Sequence, residues 1–219
     1  MTIEIPPGLL PPDDSSLPYR DPALTLGQRC LVWIEMQRAA PWQHIPPAPH
    51  PNTNERVRSW FRPAMRNGRP LGLTEGNWCA VFQSAALFAC ALGPHELIHG
   101  YRAAVVELIA DTLDEPGKRA QLQYAPLRSA GRYHTVADVK AGKWSPQRGD
   151  LVIFDRRTPG KPETNWQRHV SRFEWWTSPE WTSFYTVGGN ENRRIMRQLR
   201  TIDDPKLLGF LSYYVPPQT

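Results

Sequence analysis

Apolar residues recur at three- and four-residue intervals through "LTLGQRCLVWIEMQRAA", where Leu26, Cys30, Trp33 or Ile34, and Met36 or Gln37 share one stripe. That period predicts an amphipathic helix, and Pro41 ends it. A second helix is predicted in "NTNERVRSWFRPAMRNG", with Asn or Thr caps, a face of Val57, Trp60 and Phe61, a kink at Pro63 and a stop at Gly68. A third runs from near Cys79 to Leu92. A fourth, "PHELIHGYRAAVVELIADTLDEPG", puts Leu97, Tyr101, Val105 or Val106, and Ile109 on one side. From residue 131 the pattern changes to short runs rich in Val, Ile, Phe, Tyr and Trp, punctuated by Gly, Pro and Asn. The runs "GDLVIFDR" (149–156), "RHVSRFEWW" (168–176), "SFYTVGGN" (183–190) and "LLGFLSYYV" (207–215) read as strands. Helices followed by strands, without βαβ alternation, predict an α+β fold with an antiparallel sheet.

The chain of 219 residues is long enough for one core. Of its 23 prolines, eleven fall in residues 1–51, so residues 1–24 are predicted to be a Pro-rich extension and 25–219 the folded domain. Net charge is +5, which favours acidic partners, while Arg193, Arg194, Arg197 and Arg200 read equally well as a solvated face. No nucleic-acid-binding signature occurs, so a nucleic-acid partner is not expected. Neither a Sec-type leader nor an apolar run long enough to span a membrane is visible, which predicts synthesis in the cytoplasm without membrane insertion.

Three cysteines, Cys30, Cys79 and Cys90, form no CxxC or zinc-binding set, so no metal or other cofactor is expected and all three are predicted to be free thiols. Cys79 stands apart. It lies where "TEGN" runs into an apolar helix; with Asn77 as cap it falls near the second position, where first-turn amides favour a thiolate, provided the sulfur is partly exposed and has a histidine neighbour. Among six histidines, His169 begins an alternating strand in which His169, Ser171 and Phe173 face one way and Val170, Arg172 and Glu174 the other. In "TVGGNEN" a strand ends on Gly-Gly and leaves Asn190 and Glu191 at its lip, either an amide or a carboxylate to hold the second imidazole nitrogen.

Taken in order, "NWCAVF", "SPQRGDLVIFD", "RHVSRFE" and "YTVGGNEN" resemble the CHAP family of cysteine- and histidine-dependent amidohydrolases and peptidases, related in fold to NlpC-type and papain-like enzymes. The resemblance spans residues 53–215. It implies a papain-like fold in which Cys79 is the nucleophile, His169 the general base and Asn190 the residue orienting the imidazole, with Glu191 or Glu174 in reserve. It further implies an oxyanion site made by the backbone N–H of Cys79 with Asn77. The family mostly cuts peptidoglycan, at the N-acetylmuramoyl-L-alanine amide or within stem and cross-link peptides. Expected partners are therefore the wall or its stem peptides, with an immunity protein or secretion component. The expected place of action is the periplasm or wall, after delivery as an antibacterial effector of the type VI kind or release as a lysin. Trp78, Trp166 and Trp175 are candidates to line the groove, as are Trp176 and Trp181, although core packing is the commoner fate of Trp. The resemblance departs after the histidine, where "VSRFEWW" replaces a smaller strand. A non-catalytic binding module on the same fold and an intracellular cysteine protease or deamidase are the alternatives.

Overall fold

The computed structural model describes residues 16–40, 55–63, 65–66, 69–70, 78–93, 96, 132–156 and 168–212. The predicted fourth helix, the arm before residue 16, Asn77 and Trp166 lie outside the described residues. Helix α1 spans Leu26–Ala39, α2 Glu55–Phe61, α3 Cys79–Cys90 and the short α4 Val136–Lys140. Strands β1 (Met65–Arg66) and β2 (Arg69–Pro70) pair antiparallel with each other. Strands β3 (Arg132–Thr135), β4 (Leu151–Asp155), β5 (Arg168–Trp176), β6 (Ser183–Glu191), β7 (Arg194–Thr201) and β8 (Leu207–Ser212) form a six-stranded sheet. Its order is β3-β8-β4-β5-β6-β7 and every pairing is antiparallel. The fold is α+β.

Local chemistry sets the helix ends. Thr25 and Gln28 close a capping box at the start of α1: the Gln28 amide donates to Thr25 Oγ1 at 3.3 Å, and Gln28 Oε1 accepts from the Thr25 amide at 2.9 Å. Of the two open choices on its stripe, Gln37 is inside and Met36 is exposed. Helix α2 stops at Phe61 rather than kinking at Pro63. The segment after it turns back as β1 and β2, because proline cannot keep the helical hydrogen bond and the Asn-Gly between the two strands favours reversal.

Both faces of the sheet are covered, so β4 reads as a continuous apolar run. On one face Leu151, Ile153, Val170, Val187 and Leu211 share a core with α1, α2 and α3; on the other Val152, Phe154, Phe173, Phe184 and Phe210 pack with Val139 of α4, Ile202 and Leu207. Strand β7 went unpredicted because its "RIMRQLRT" sits at the sheet edge with little apolar content. The reversal into it is made by Asn192 and Arg193, both at positive φ (49° and 65°), the conformation of a primed hairpin turn without its usual glycine. None of the described helices is long and apolar enough to cross a membrane.

One aromatic cluster locks the helices to the sheet. Trp33 of α1, Trp60 of α2, and Trp78 and Phe82 at the start of α3 lie with ring centroids 5.0–6.1 Å apart, the Trp78–Phe82 pair edge-on at 88°. This cluster rests on Gly189 of β6, where an added Cβ would stand 2.4 Å from the Trp78 ring and 2.7 Å from Phe82. Any side chain there pushes the first turn of α3 off the sheet. Gly189→Ala is accordingly expected to cost roughly 1–3 kcal/mol, the range for overpacked sites. Urea unfolding checks this: the midpoint falls while the m-value is unchanged.

Candidate active site

Cys79 is the first residue of α3, with Trp78 at the N-cap and no side chain capping the turn, so it stands one position nearer the helix start than Asn77 capping would give. His169 is the second residue of β5, directly opposite Phe154 of β4. Its Nε2 lies 2.5 Å from Glu191 Oε1 and 3.1 Å from Ser171 Oγ, and the Ser171 hydroxyl donates to the same Glu191 oxygen at 2.9 Å. His169 Nδ1 is buried and makes no hydrogen bond of normal geometry. Besides Glu191, the Cys79 thiol is near enough to this imidazole to shift its titration, and Nδ1 is the nitrogen left to meet it. Cys79 Sγ also sits 4.0 Å from the Arg168 carbonyl, at the very start of β5.

Glu191, not Asn190, holds the imidazole. Counting along β6 from the pair formed by Arg172 and Val187 would put residue 190 opposite His169. The β6–β7 register, however, shifts between Gly188 and Glu191, so β6 carries one extra residue there. Asn190 takes up that residue at φ 64°, which reverses the alternation and turns Glu191 inward. The Asn190 backbone carbonyl instead accepts from Arg156 Nη1 at 3.3 Å. Two glycines make the approach: Gly189 admits α3, and Gly188 leaves room for Ser171, whose Oγ would stand 2.6 Å from an added Cβ.

Glu174 is not a substitute. It lies past the middle of β5 and its carboxylate takes Arg197 Nε at 2.6 Å and Nη2 at 2.8 Å, the same guanidinium reaching Glu35 of α1 at 3.0 Å. Arg197 is thus a clamp between sheet and helix rather than part of a solvated face. Trp78 is also displaced from its expected place: it is 1% exposed and belongs to the aromatic core, because the Gly189 approach draws it under the sheet. Trp175 is exposed, with Arg197 Cζ 5.0 Å above its ring, but it stands six residues beyond His169 on β5, roughly 20 Å along a strand. Neither lines a groove at Cys79.

The electrostatics follow from this contact set. Burial drives Cys79 up, yet the proximity and charge of His169, the Val170 backbone N–H and the charge of Arg156 together bring the thiol below its ordinary value. Burial pushes His169 down, and the contacts with Cys79 and Glu191 outweigh it, so the imidazole is raised. Burial also raises Glu191, but His169, Arg200 and Arg156 lower it to about 2. Arg156 Nη2 lies 3.0 Å from Glu191 Oε2 and Arg200 Nη2 3.2 Å from Oε1, and Arg168 pairs with Asp155 at 3.4 Å. The set favours thiolate, imidazolium and carboxylate in line. Against the partial exposure expected for a reactive thiol, Cys79 is 2% and His169 0% exposed, because the aromatic packing of the first α3 turn brings the sulfur against the sheet.

Ser171, Arg156 and Arg200 carried no predicted role. Ser171 had a signal, since it lies two residues from His169 on the same strand face. No group of three or more His, Cys, Asp or Glu that could hold a metal occurs among the described residues. Compared with family models, curated proteins and solved structures, the chain matches none.

Glu191 ties folding to pH. Its folded value of about 2 lies below the ordinary 4.5, so the stability it contributes is present above 4.5 and is lost as pH falls toward 2. Glu191→Gln is expected to flatten the acid arm of the stability curve over that interval and to return His169 toward or below its ordinary 6.5, read by NMR titration. Asn190→Ala leaves the His169 titration where it is.

Proposed function

We propose that the protein is a cysteine hydrolase of amide bonds, acting through Cys79, His169 and Glu191 on a papain-like scaffold. The observation that carries this reading is the chain of contacts from a thiol at a helix start, through a buried imidazole, to a carboxylate on the neighbouring strand. The same order of elements supports the resemblance to the CHAP family, with a glutamate in the third place. The Cys79 thiolate attacks the amide carbonyl carbon, and the oxyanion that forms meets the backbone N–H groups of the first α3 turn, which no side chain caps. The His169 imidazolium gives its Nδ1 proton to the leaving nitrogen as the C–N bond breaks. The imidazole then takes a proton from water, which attacks the thioester and releases the acid and the thiolate. Glu191 keeps the ring oriented and charged, with Ser171 fixing the carboxylate.

Peptidoglycan is the substrate class we favour. Stem peptides carry carboxylates close to their amide bonds, and Arg156, with its side chain 39% exposed, projects its charge beside both Cys79 and Glu191. On this reading the enzyme works in the periplasm or wall as a delivered antibacterial effector or lysin. The burial of Cys79 and His169 favours one second reading, a non-catalytic wall- or protein-binding module in which the four polar side chains are a structural lock. Native-state alkylation separates the two. A nucleophile reacts with iodoacetamide through local opening, at a rate far above global unfolding; a lock reacts only as the chain unfolds.

Digestion of purified sacculi, read by mass spectrometry of muropeptides, tests the activity. Cys79→Ala is expected to abolish it. Glu191→Gln should lower kcat by about 10³–10⁴-fold, the loss when the residue orienting a histidine is removed. Asn190→Ala should stay within a few-fold. The kcat/KM profile should be a bell, its acid limb set by Cys79 below 9.0 and its alkaline limb by His169 above 6.5, and Glu191→Gln should move the alkaline limb to lower pH.

A further inference from the structure

The mechanism makes no use of the tip of the β5–β6 hairpin, where Trp181 holds a backbone conformation that its side chain does not favour. The Trp181 N–H donates to the Ser178 carbonyl at 3.2 Å and closes a turn with Pro179 in its second place. Trp181 follows at φ 55°, the left-handed position that glycine ordinarily fills after such a turn and that a bulky residue rarely adopts. Burial does not account for it, since Trp181 is 43% exposed. Its ring stacks on Trp176, with centroids 6.0 Å apart and planes 16° from parallel. Trp176 in turn meets Phe173 at 5.4 Å and Phe184 at 5.3 Å, both edge-on, so the support is anchored in the core. The outer face of Trp181 is therefore fixed in direction and open. Trp175, the other exposed tryptophan of the hairpin, points to the opposite side of β5 and already has Arg197 over its ring at 5.0 Å.

We propose that this tip is a glycan-binding platform, on which the open face of Trp181 stacks against a pyranose ring of the wall's β-1,4-linked N-acetylhexosamine strand. Such a sugar carries its substituents equatorially and its axial C–H bonds on two flat faces, a shape that fits an aromatic plane. The groups around Trp181 suit the edge of that ring. The Thr177 hydroxyl donates to the Ser183 carbonyl at 3.0 Å, and the Ser178 and Thr182 hydroxyls lie 3.4 Å apart, both contacts at the surface. Glu180 is the one charged side chain of the turn. Hydroxyls and a carboxylate exchange hydrogen bonds with sugar hydroxyls and acetamido groups. Charge points away from the acidic partners that the whole chain favours: Phe173 to Asn192 contains no Lys or Arg, although the chain holds 26, so a polyanion finds nothing here to neutralise it. The choice of glycan rests on the reading of Cys79 as a wall hydrolase. Trp176 lies seven residues beyond His169 on β5, roughly 23 Å along a strand, so a ligand that meets both sites is a polymer. The glycan strand with its stem peptides is one, and holding it at the tip raises the local concentration of those peptides at Cys79. Strain in the turn is thus retained for the direction it gives the ring.

The test is titration of the full chain, followed by tryptophan fluorescence, with chitohexaose, a soluble β-1,4-linked N-acetylglucosamine oligomer that lacks stem peptides. Maltohexaose, whose α-linkages coil the chain, is the control. Chitohexaose should give a saturable change and maltohexaose none. Trp181→Gly, which relieves the backbone, and Trp181→Leu, which keeps apolar bulk without a flat ring, should each weaken chitohexaose binding about ten-fold, the order of one lost aromatic contact. No saturable response in the wild-type protein, or an equal response to maltohexaose, would overturn the proposal whether or not the variants fold. Unchanged affinity in either folded variant would overturn it as well. Digestion of sacculi separates this result from the reading of Cys79. Binding of chitohexaose through Trp181 by a protein that leaves sacculi uncut supports the platform and removes the hydrolase; cutting of sacculi without chitohexaose binding removes the platform alone.

Discussion

One extra residue in β6 determines what the site contains. Without it, strand alternation would present an amide at position 190 to the imidazole and turn the carboxylate of Glu191 away. Asn190 absorbs the insertion in the left-handed region, where asparagine is among the few side chains tolerated. The result is a negative charge buried against His169, held ionised by Arg156 and Arg200. A neutral amide would orient the ring as well, but it would not hold a proton on it. The lowered titration of Cys79 therefore depends, through His169, on a backbone irregularity next to Gly189, the residue on which the first turn of α3 rests.

The two glycines before the bulge work on opposite faces of the sheet. Gly188 leaves space for Ser171 beside the carboxylate, and Gly189 leaves space for Trp78 and Phe82 beneath it. Helix position and acid position are thus set within four consecutive residues, "GGNE". The tryptophan beside the cysteine serves the same end. It is an anchor in a cluster with Trp33 and Trp60, and its burial brings the sulfur to the start of β5. What fixes Cys79 also shields it, so on the proposed reading reaction there requires local opening of the first α3 turn.

Much of the scaffold was legible in the sequence. The period of "LTLGQRCLVWIEMQRAA" and the bounds of β5 needed only side-chain alternation and a proline. Cys79 and His169 stood out because helix starts and strand starts are places where a thiol and an imidazole gain from backbone geometry. Glu191 stood in reserve with Glu174 behind Asn190, because a bulge leaves no mark in a residue pattern read at period two. Strand β7 and its turn were invisible for a similar reason: Asn192 and Arg193 take positive φ without glycine, and an edge strand needs few apolar residues.

The central claim is that Cys79 is held as a thiolate by an imidazolium that Glu191 sustains. Thiolate absorbance near the far ultraviolet, followed against pH as the difference between wild-type protein and Cys79→Ala, measures it directly. The account predicts a Cys79 transition below 9.0 that moves upward in Glu191→Gln and further in His169→Ala. A transition at or above 9.0 that ignores both substitutions would contradict it.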